Sequence, residues 1–114
     1  MPRSCMAYDE VLAERLRELL EDEPGVFARK MFGGLAVMLD GNMAVGVYRD
    51  DLLLRPDPAT IPALLNEPGV RPFQMGGTTT RGFVVVDAGE CAEDEDLARW
   101  VALGVSYARS LPPK

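Results

Sequence analysis

Histidine is absent from this sequence of 114 residues, and cysteine occurs only twice. Without histidine the chain cannot assemble a Ser-His-Asp triad, a Cys-His dyad, an HExxH zinc site or a histidine-ligated haem from its own residues. Cys5 and Cys91 lie far apart and form no CxxC motif, so they predict neither a zinc site nor a disulfide framework. We therefore expect reduced cysteines in a cytoplasmic protein that holds no metal and no cofactor.

Long apolar segments and an excess of basic residues are also missing. The longest apolar runs, such as residues 35–39, are far shorter than the roughly 18 residues that span a membrane, and no apolar signal segment opens the chain. Twelve Lys and Arg stand against 18 Asp and Glu, a formal charge of −6, which repels a phosphate backbone. The sequence thus predicts no membrane contact and argues against direct nucleic-acid binding.

A regular succession of helix and strand patterns fills the rest of the chain. Apolar residues at helical spacing predict helices over residues 8–21, 59–66 and 93–110. Strand-like stretches lie at residues 35–39, 43–48, 52–55, 70–75 and 81–87, and Asp40-Gly41-Asn42 suits a tight hairpin turn. We predict an α+β domain over residues 8–111, following a disordered tail of residues 1–7. Its single antiparallel five-stranded sheet carries the helices in the order α-β(3)-α-β(2)-α.

The first two predicted strands are apolar on both of their alternating faces. A sheet that is wetted on one side alternates apolar and polar residues, and residues 35–39 and 43–48 do not. Two interpretations follow. Either the helices cover both faces of the sheet, or an apolar face is left over for a protein partner, the simplest being a second copy in a homodimer.

The segment Arg29-Lys30-Met31-Phe32-Gly33-Gly34 is the most distinctive local motif. Two cations before two glycines can cradle an anion, because glycine lets backbone N–H groups approach a phosphate. Alternatively, the glycines form a turn or bulge before the first strand, with Met31 and Phe32 in the core. Arginines at strand ends, Arg55 and Arg81 among them, either join this cluster or pair with surface carboxylates. The candidate binding residues are Arg29, Lys30, Phe32, Gly33, Gly34, Arg55 and Arg81.

The residues offer little for catalysis. Serine occurs only at Ser4, Ser106 and Ser110, in the N-terminal tail or the last helix. Lys30 lies far from all three in sequence, and Lys114, four residues after Ser110, belongs to the final tail, so no serine is predicted to have a lysine as its base. Carboxylates are abundant, but no spacing marks one as an acid and another as a base. We therefore predict that the protein is not an enzyme.

Several motifs together resemble the N-terminal domain of TfoX-type (Sxy-type) competence regulators. They are Tyr8-Asp9-Glu10, the segment from Arg29 to Gly34, residues 42–47, residues 51–55, Arg81-Gly82-Phe83-Val84-Val85, Trp100 and Tyr107-Ala108. The resemblance implies a secretion-chaperone-like α+β fold in a bacterial cytoplasmic protein without catalytic residues. It also implies a regulatory or protein-interaction module, standing alone without the second domain of the full-length regulators. The alternative function is binding of a small anion or metabolite by the segment from Arg29 to Gly34.

Overall fold

Six strands and three helices follow one another in the part of the chain that the computed structural model describes, residues 8–31, 33–75 and 77–114. The predicted tail, residues 1–7, lies outside these ranges. The elements are α1 (Glu10–Leu20), β1 (Val26–Met31), β2 (Gly34–Leu39), β3 (Asn42–Tyr48), β4 (Asp51–Leu54), α2 (Ile61–Leu64), β5 (Val70–Met75), β6 (Thr78–Val86) and α3 (Asp94–Ser110). No helix within the described ranges is both long and apolar enough to cross a lipid bilayer.

All six strands form one antiparallel sheet in the order β1-β2-β3-β4-β6-β5. The predicted α+β class and antiparallel sheet are confirmed, but the prediction of five strands is wrong. The missing strand is β1, at the edge of the sheet, whose four central residues are exposed. An exposed edge strand need not alternate apolar and polar residues, so its sequence lacks the pattern that revealed the other strands.

Local sequence signals account for several element boundaries. The carboxylate of Asp9 caps α1 by accepting hydrogen bonds from the backbone N–H groups of Val11 and Leu12, at 2.8 and 3.2 Å. At the β2–β3 turn, Asp40 and Gly41 adopt φ angles of 51° and 86°. Aspartate and glycine tolerate this left-handed conformation, so the predicted hairpin turn is confirmed.

The helices pack on one face of the sheet, which we call the helical face. Leu16 of α1 and Trp100 of α3 belong to the same buried cluster as alternate residues of β2, β3, β4 and β6. Leu64 of α2 joins this cluster as well. Because successive strand residues point to opposite faces, the remaining apolar residues of the same strands lie on the other side.

That other side, which we call the open face, is filled by side chains of the sheet itself. Phe73 is 1% exposed and Leu53 is fully buried, and the described members of their cluster are all strand residues. The rings of Tyr48 and Phe73 lie 4.9 Å apart, although β3 and β5 stand about 14 Å apart in a flat sheet. The sheet therefore curves around the open face. In the described chain, the helices do not cover both faces, and the second face is buried without a partner.

The end of the chain is tied to the turn between β2 and β3. Asn42 donates a hydrogen bond from Nδ2 to the carbonyl of Pro112 at 2.9 Å, and the N–H of Lys114 donates to the carbonyl of Asp40 at 2.8 Å. The guanidinium of Arg109 bonds to Asp40 and Glu23 at 2.9 and 3.0 Å. These contacts hold the last residues against the sheet, beyond the predicted domain limit.

Candidate functional site

The structure places the two cations of the glycine motif on opposite faces of the sheet. Arg29 pairs with Ala36 of β2 and points to the open face, whereas Lys30 pairs with Leu35 and points to the helical face. Neighbouring residues of a strand always diverge in this way. Arg29 and Lys30 therefore project away from each other and do not form one cluster in this structure.

The two glycines of the motif serve the hairpin between β1 and β2. Gly33 adopts a φ of 73°, which favours glycine. Gly34 is buried, and a Cβ there would collide with the backbone carbonyl oxygen of Val47. Phe32 lies outside the described residues. The turn interpretation of the two glycines is thus the one that the geometry supports.

Arg55 and Arg81 are not brought to this motif. Arg55 is half-buried at the end of β4, where its guanidinium lies 5.5 Å from the ring centroid of Tyr107 in α3. Arg81 is exposed on β6, and three strands separate β6 from β1, about 19 Å along the sheet. The predicted candidate residues therefore occupy three separate places.

A groove of about 320 Å³ on the open side of β3–β5 is lined by Tyr48, Arg49 and Arg71 among others. Arg71 donates hydrogen bonds to Asp87 at 2.9 Å and to Asp51 at 2.9 Å. The hydrogen bond to Asp87 is the main reason that the pKa of Arg71 is raised above its ordinary value. Since two carboxylates already neutralise this guanidinium, Arg71 is poorly placed to bind a further anion.

Several groups that have no bonding partner among the described residues lie instead along the free side of β1, which we call the β1 edge (Val26–Met31). Arg29 and Lys30 are exposed and make no hydrogen bond or ion pair with the described residues. Phe27 is 47% exposed. An edge strand also presents backbone N–H and C=O groups without partners on its outer side. Charge, an aromatic ring and hydrogen-bonding groups therefore meet on one strand.

The opposite edge of the sheet is less suited to pairing with another strand. Pro72 interrupts β5, and the register between β5 and β6 shifts between Pro72 and Gln74. Proline lacks the N–H that a ladder requires, and a shifted register bends the strand. By contrast, all six residues of β1 pair with β2 in unbroken register and include no proline.

Sequence reasoning missed this site because it missed β1 as a strand. Arg29 and Lys30 were candidates, but Phe27 and the edge itself were not. One signal was available: a tight turn at Gly33-Gly34 needs a strand on each side, and residues 26–31 were the only segment in place to supply the first. The exposed ring of Phe27 follows only from the position of β1 at the edge.

Cys91 is the one cysteine within the described residues, and it is a buried free thiol. Burial raises its pKa from 9.0 to about 11. A thiol with this pKa is almost wholly protonated at neutral pH and is therefore a poor nucleophile. The described residues also include no group of three or more His, Cys, Asp or Glu that could hold a metal ion.

We expect Cys91 to make the protein less stable as the pH rises from about 9 to about 11. The unfolded thiol ionises near 9.0 and the folded thiol near 11, so between these values the unfolded state binds fewer protons. The loss approaches about 2–3 kcal/mol at the upper end. Urea unfolding of the wild type and of Cys91→Ala across this pH range measures the difference. Parallel stability curves for the two proteins would contradict the prediction.

Comparison with family models matches residues 18–108 to the TfoX N-terminal domain. No curated protein matches the chain. The matched region runs from the second half of α1 to the last turns of α3 and contains all six strands. Since the match covers well over half of the 114 residues, the chain belongs to the family of TfoX N-terminal domains.

Proposed function

We propose that this TfoX N-terminal domain is a non-enzymatic protein-interaction module, related to competence regulators, that binds its partner along the β1 edge. The observation that carries the proposal is the combination of an unbroken edge strand with two exposed cations that have no partner in the described chain. Such an edge adds a strand from another protein through main-chain hydrogen bonds, while alternate side chains determine which strand is accepted.

The positions of the two cations determine which residues of an added strand are favoured opposite them. Arg29 projects on the open face and Lys30 on the helical face. An added strand would therefore meet one positive charge on each of its sides. Uncharged, aromatic or acidic residues at these positions are compatible with pairing, whereas basic residues directly opposite are not.

Two features support a role without catalysis. The thiol of Cys91 is buried and its pKa is raised to about 11, so it is not poised as a nucleophile. Gly33 and Gly34 meet the needs of the turn and of packing against Val47, which supports a structural role for these glycines in the hairpin rather than an anion cradle. The geometry therefore favours a binding strand over a pocket for a small anion or metabolite.

Affinity capture with a charge-reversed edge tests the proposal. The tagged wild-type domain and Arg29→Glu/Lys30→Glu are used as baits in lysate of the source cells, to which an untagged copy of the domain has been added. We expect the edge variant to lose at least about 90% of a partner captured by the wild type, because the new carboxylates repel acidic residues opposite them and lose the attraction of a cation to an aromatic ring. Hydrogen exchange of residues 26–31 should slow when that partner is bound.

A matched variant separates the edge from general charge effects. Arg81→Glu/Arg99→Glu makes the same change in net charge at two exposed positions away from β1, on β6 and α3. This control should capture the partner as the wild type does. Equal capture by all three baits, or unchanged hydrogen exchange of β1 in the complex, would refute the proposal.

A further inference from the structure

We infer that the occupant of the β1 edge is a second copy of this chain, added antiparallel about a two-fold axis at Ala28. This inference rests on the proposed function, since it names the partner of the same edge. It extends the sheet across the axis and leaves the helices of both copies on the same side.

The faces of β1 limit the registers that two copies can adopt. Val26, Ala28 and Lys30 lie on the helical face, and Phe27 and Arg29 lie on the open face. Residues that pair across a continuous sheet must share a face, because neighbouring strands keep a common pleat. Each residue must therefore pair with a residue of the other copy whose number differs from its own by zero or an even number. In every such register, the two-fold axis lies between the two copies of one residue.

The backbone of β1 agrees with an axis at Ala28. Met31 and Gly34 pair across a connection of two residues, and such a turn is closed by a hydrogen-bonded pair. The alternation of an antiparallel ladder then directs the N–H and C=O groups of Ala28 and Lys30 away from β2. Neither residue uses these groups elsewhere in the described chain. Two Ala28 residues can therefore exchange both hydrogen bonds across the axis.

Side-chain complementarity selects this axis over its neighbours. With the axis at Ala28, each Arg29 faces Phe27 of the other copy, and each Lys30 faces Val26. A guanidinium beside an aromatic ring is attractive, and no like charges stand opposite each other. An axis at Arg29 or at Lys30 would place two identical cations directly opposite. An axis at Phe27 would pair fewer residues, since β1 begins at Val26.

The rest of the surface points to the same strand. The apolar residues of the open face are buried within one chain, so they leave no large apolar face for a dimer. At the other edge, Pro72 and the shifted register of β5 obstruct a ladder. A second copy also brings its own complementary ring and cation, which makes the edge self-complementary.

Sedimentation equilibrium from micromolar to millimolar concentration tests the association. The wild type should form dimers, and Ala28→Lys should raise the dimer dissociation constant by at least about 10-fold, because it sets two ammonium groups opposite each other on the axis. Ala28 is exposed, so lysine there should leave the fold intact, which far-ultraviolet circular dichroism checks. Ala102→Lys, at an exposed position of α3, is the matched control and should dimerise as the wild type does.

Disulfide trapping identifies the residue on the axis. In a Cys5→Ser background, Ala28→Cys should form an intermolecular disulfide under mild oxidation, since paired Cα atoms lie about 5.5 Å apart, within the range of disulfides. Arg29→Cys and Phe27→Cys should form at least about 10-fold less disulfide. Each of these cysteines would lie two positions out of register from the same cysteine in the other copy. Cys91 is buried and should not interfere.

Three results would overturn the inference: a wild type that stays monomeric at millimolar concentration, a dimer that Ala28→Lys does not weaken, or preferential trapping at residue 27 or 29. The proposed function would survive a monomeric wild type if the Arg29→Glu/Lys30→Glu bait still loses another captured protein. It would fail if that bait captured every protein that the wild type captures, the untagged copy included.

Discussion

Replacing Phe73 by alanine is expected to lower the free energy of unfolding by about 3–5 kcal/mol, the usual cost of removing a fully buried aromatic ring. Phe73 is 1% exposed and packs against Tyr48 and Phe83 on the open face, with ring centroids 4.9 and 6.0 Å apart. Within the described residues no helix packs on this face, and Phe73 shares its buried cluster with Leu53. Loss of the ring therefore removes packing contacts from this cluster.

Urea unfolding measures the effect, and Phe27→Ala is the matched control. This variant makes the same substitution at a ring that is 47% exposed. At low protein concentration it should lower the free energy of unfolding by less than about 1 kcal/mol. If Phe73→Ala does not fold, Phe73→Leu should fold with a smaller loss and should bind a hydrophobic dye more strongly than the wild type. Equal costs at residues 73 and 27 would show that the open face is not a core.

Replacing Gly104 by alanine is expected to destabilise the protein by about 2–3 kcal/mol. The same change at an exposed position within a helix usually stabilises a protein by up to about 1 kcal/mol. Gly104 lies in the middle of α3, where a Cβ would collide with the backbone carbonyl oxygen of Ala44 and lie 2.9 Å from Val45 Cγ1. That carbonyl also accepts the N–H of Arg55 at 3.1 Å, so it cannot move away freely. The helix must shift instead.

Thermal unfolding provides the test, with an expected decrease of about 10 °C in Tm. Gly89→Ala serves as the control, because nothing lies within 4 Å of a Cβ built there and its φ is not in the left-handed region. This control should change stability by less than about 0.5 kcal/mol. If Gly104→Ala raised Tm, helix propensity would dominate and α3 would not be seated closely on β3.

Features that depend on neighbouring residues were predictable from the sequence. The helices follow from apolar residues at helical spacing, as Leu12 and Leu16 of α1 illustrate. The β2–β3 turn follows from Asp40 and Gly41, since few other residues tolerate the φ angles observed there. Strands β2, β3 and β4 follow from runs of residues that favour strands.

Features that depend on distant residues were not predictable in this way. The edge strand β1 was not predicted because the burial pattern of a strand depends on what covers it, and four of the six residues of β1 are exposed. Adjacency in sequence predicts one cluster of Arg29 and Lys30, yet strand pairing turns them to opposite faces. Arg55 and Arg81 share only their position near strand ends, and the strand order keeps Arg81 far from β1.

By itself, the sequence determined the classes of chemistry that its residues cannot perform, the three helices, five of the six strands and the resemblance to the TfoX N-terminal domain. Only the tertiary structure decided which strand lies at the edge, which face the helices cover and which cations form ion pairs among the described residues. The physical reason is the range of the interactions. Residue spacing specifies local backbone conformation, whereas strand order and burial depend on contacts between segments far apart in the chain.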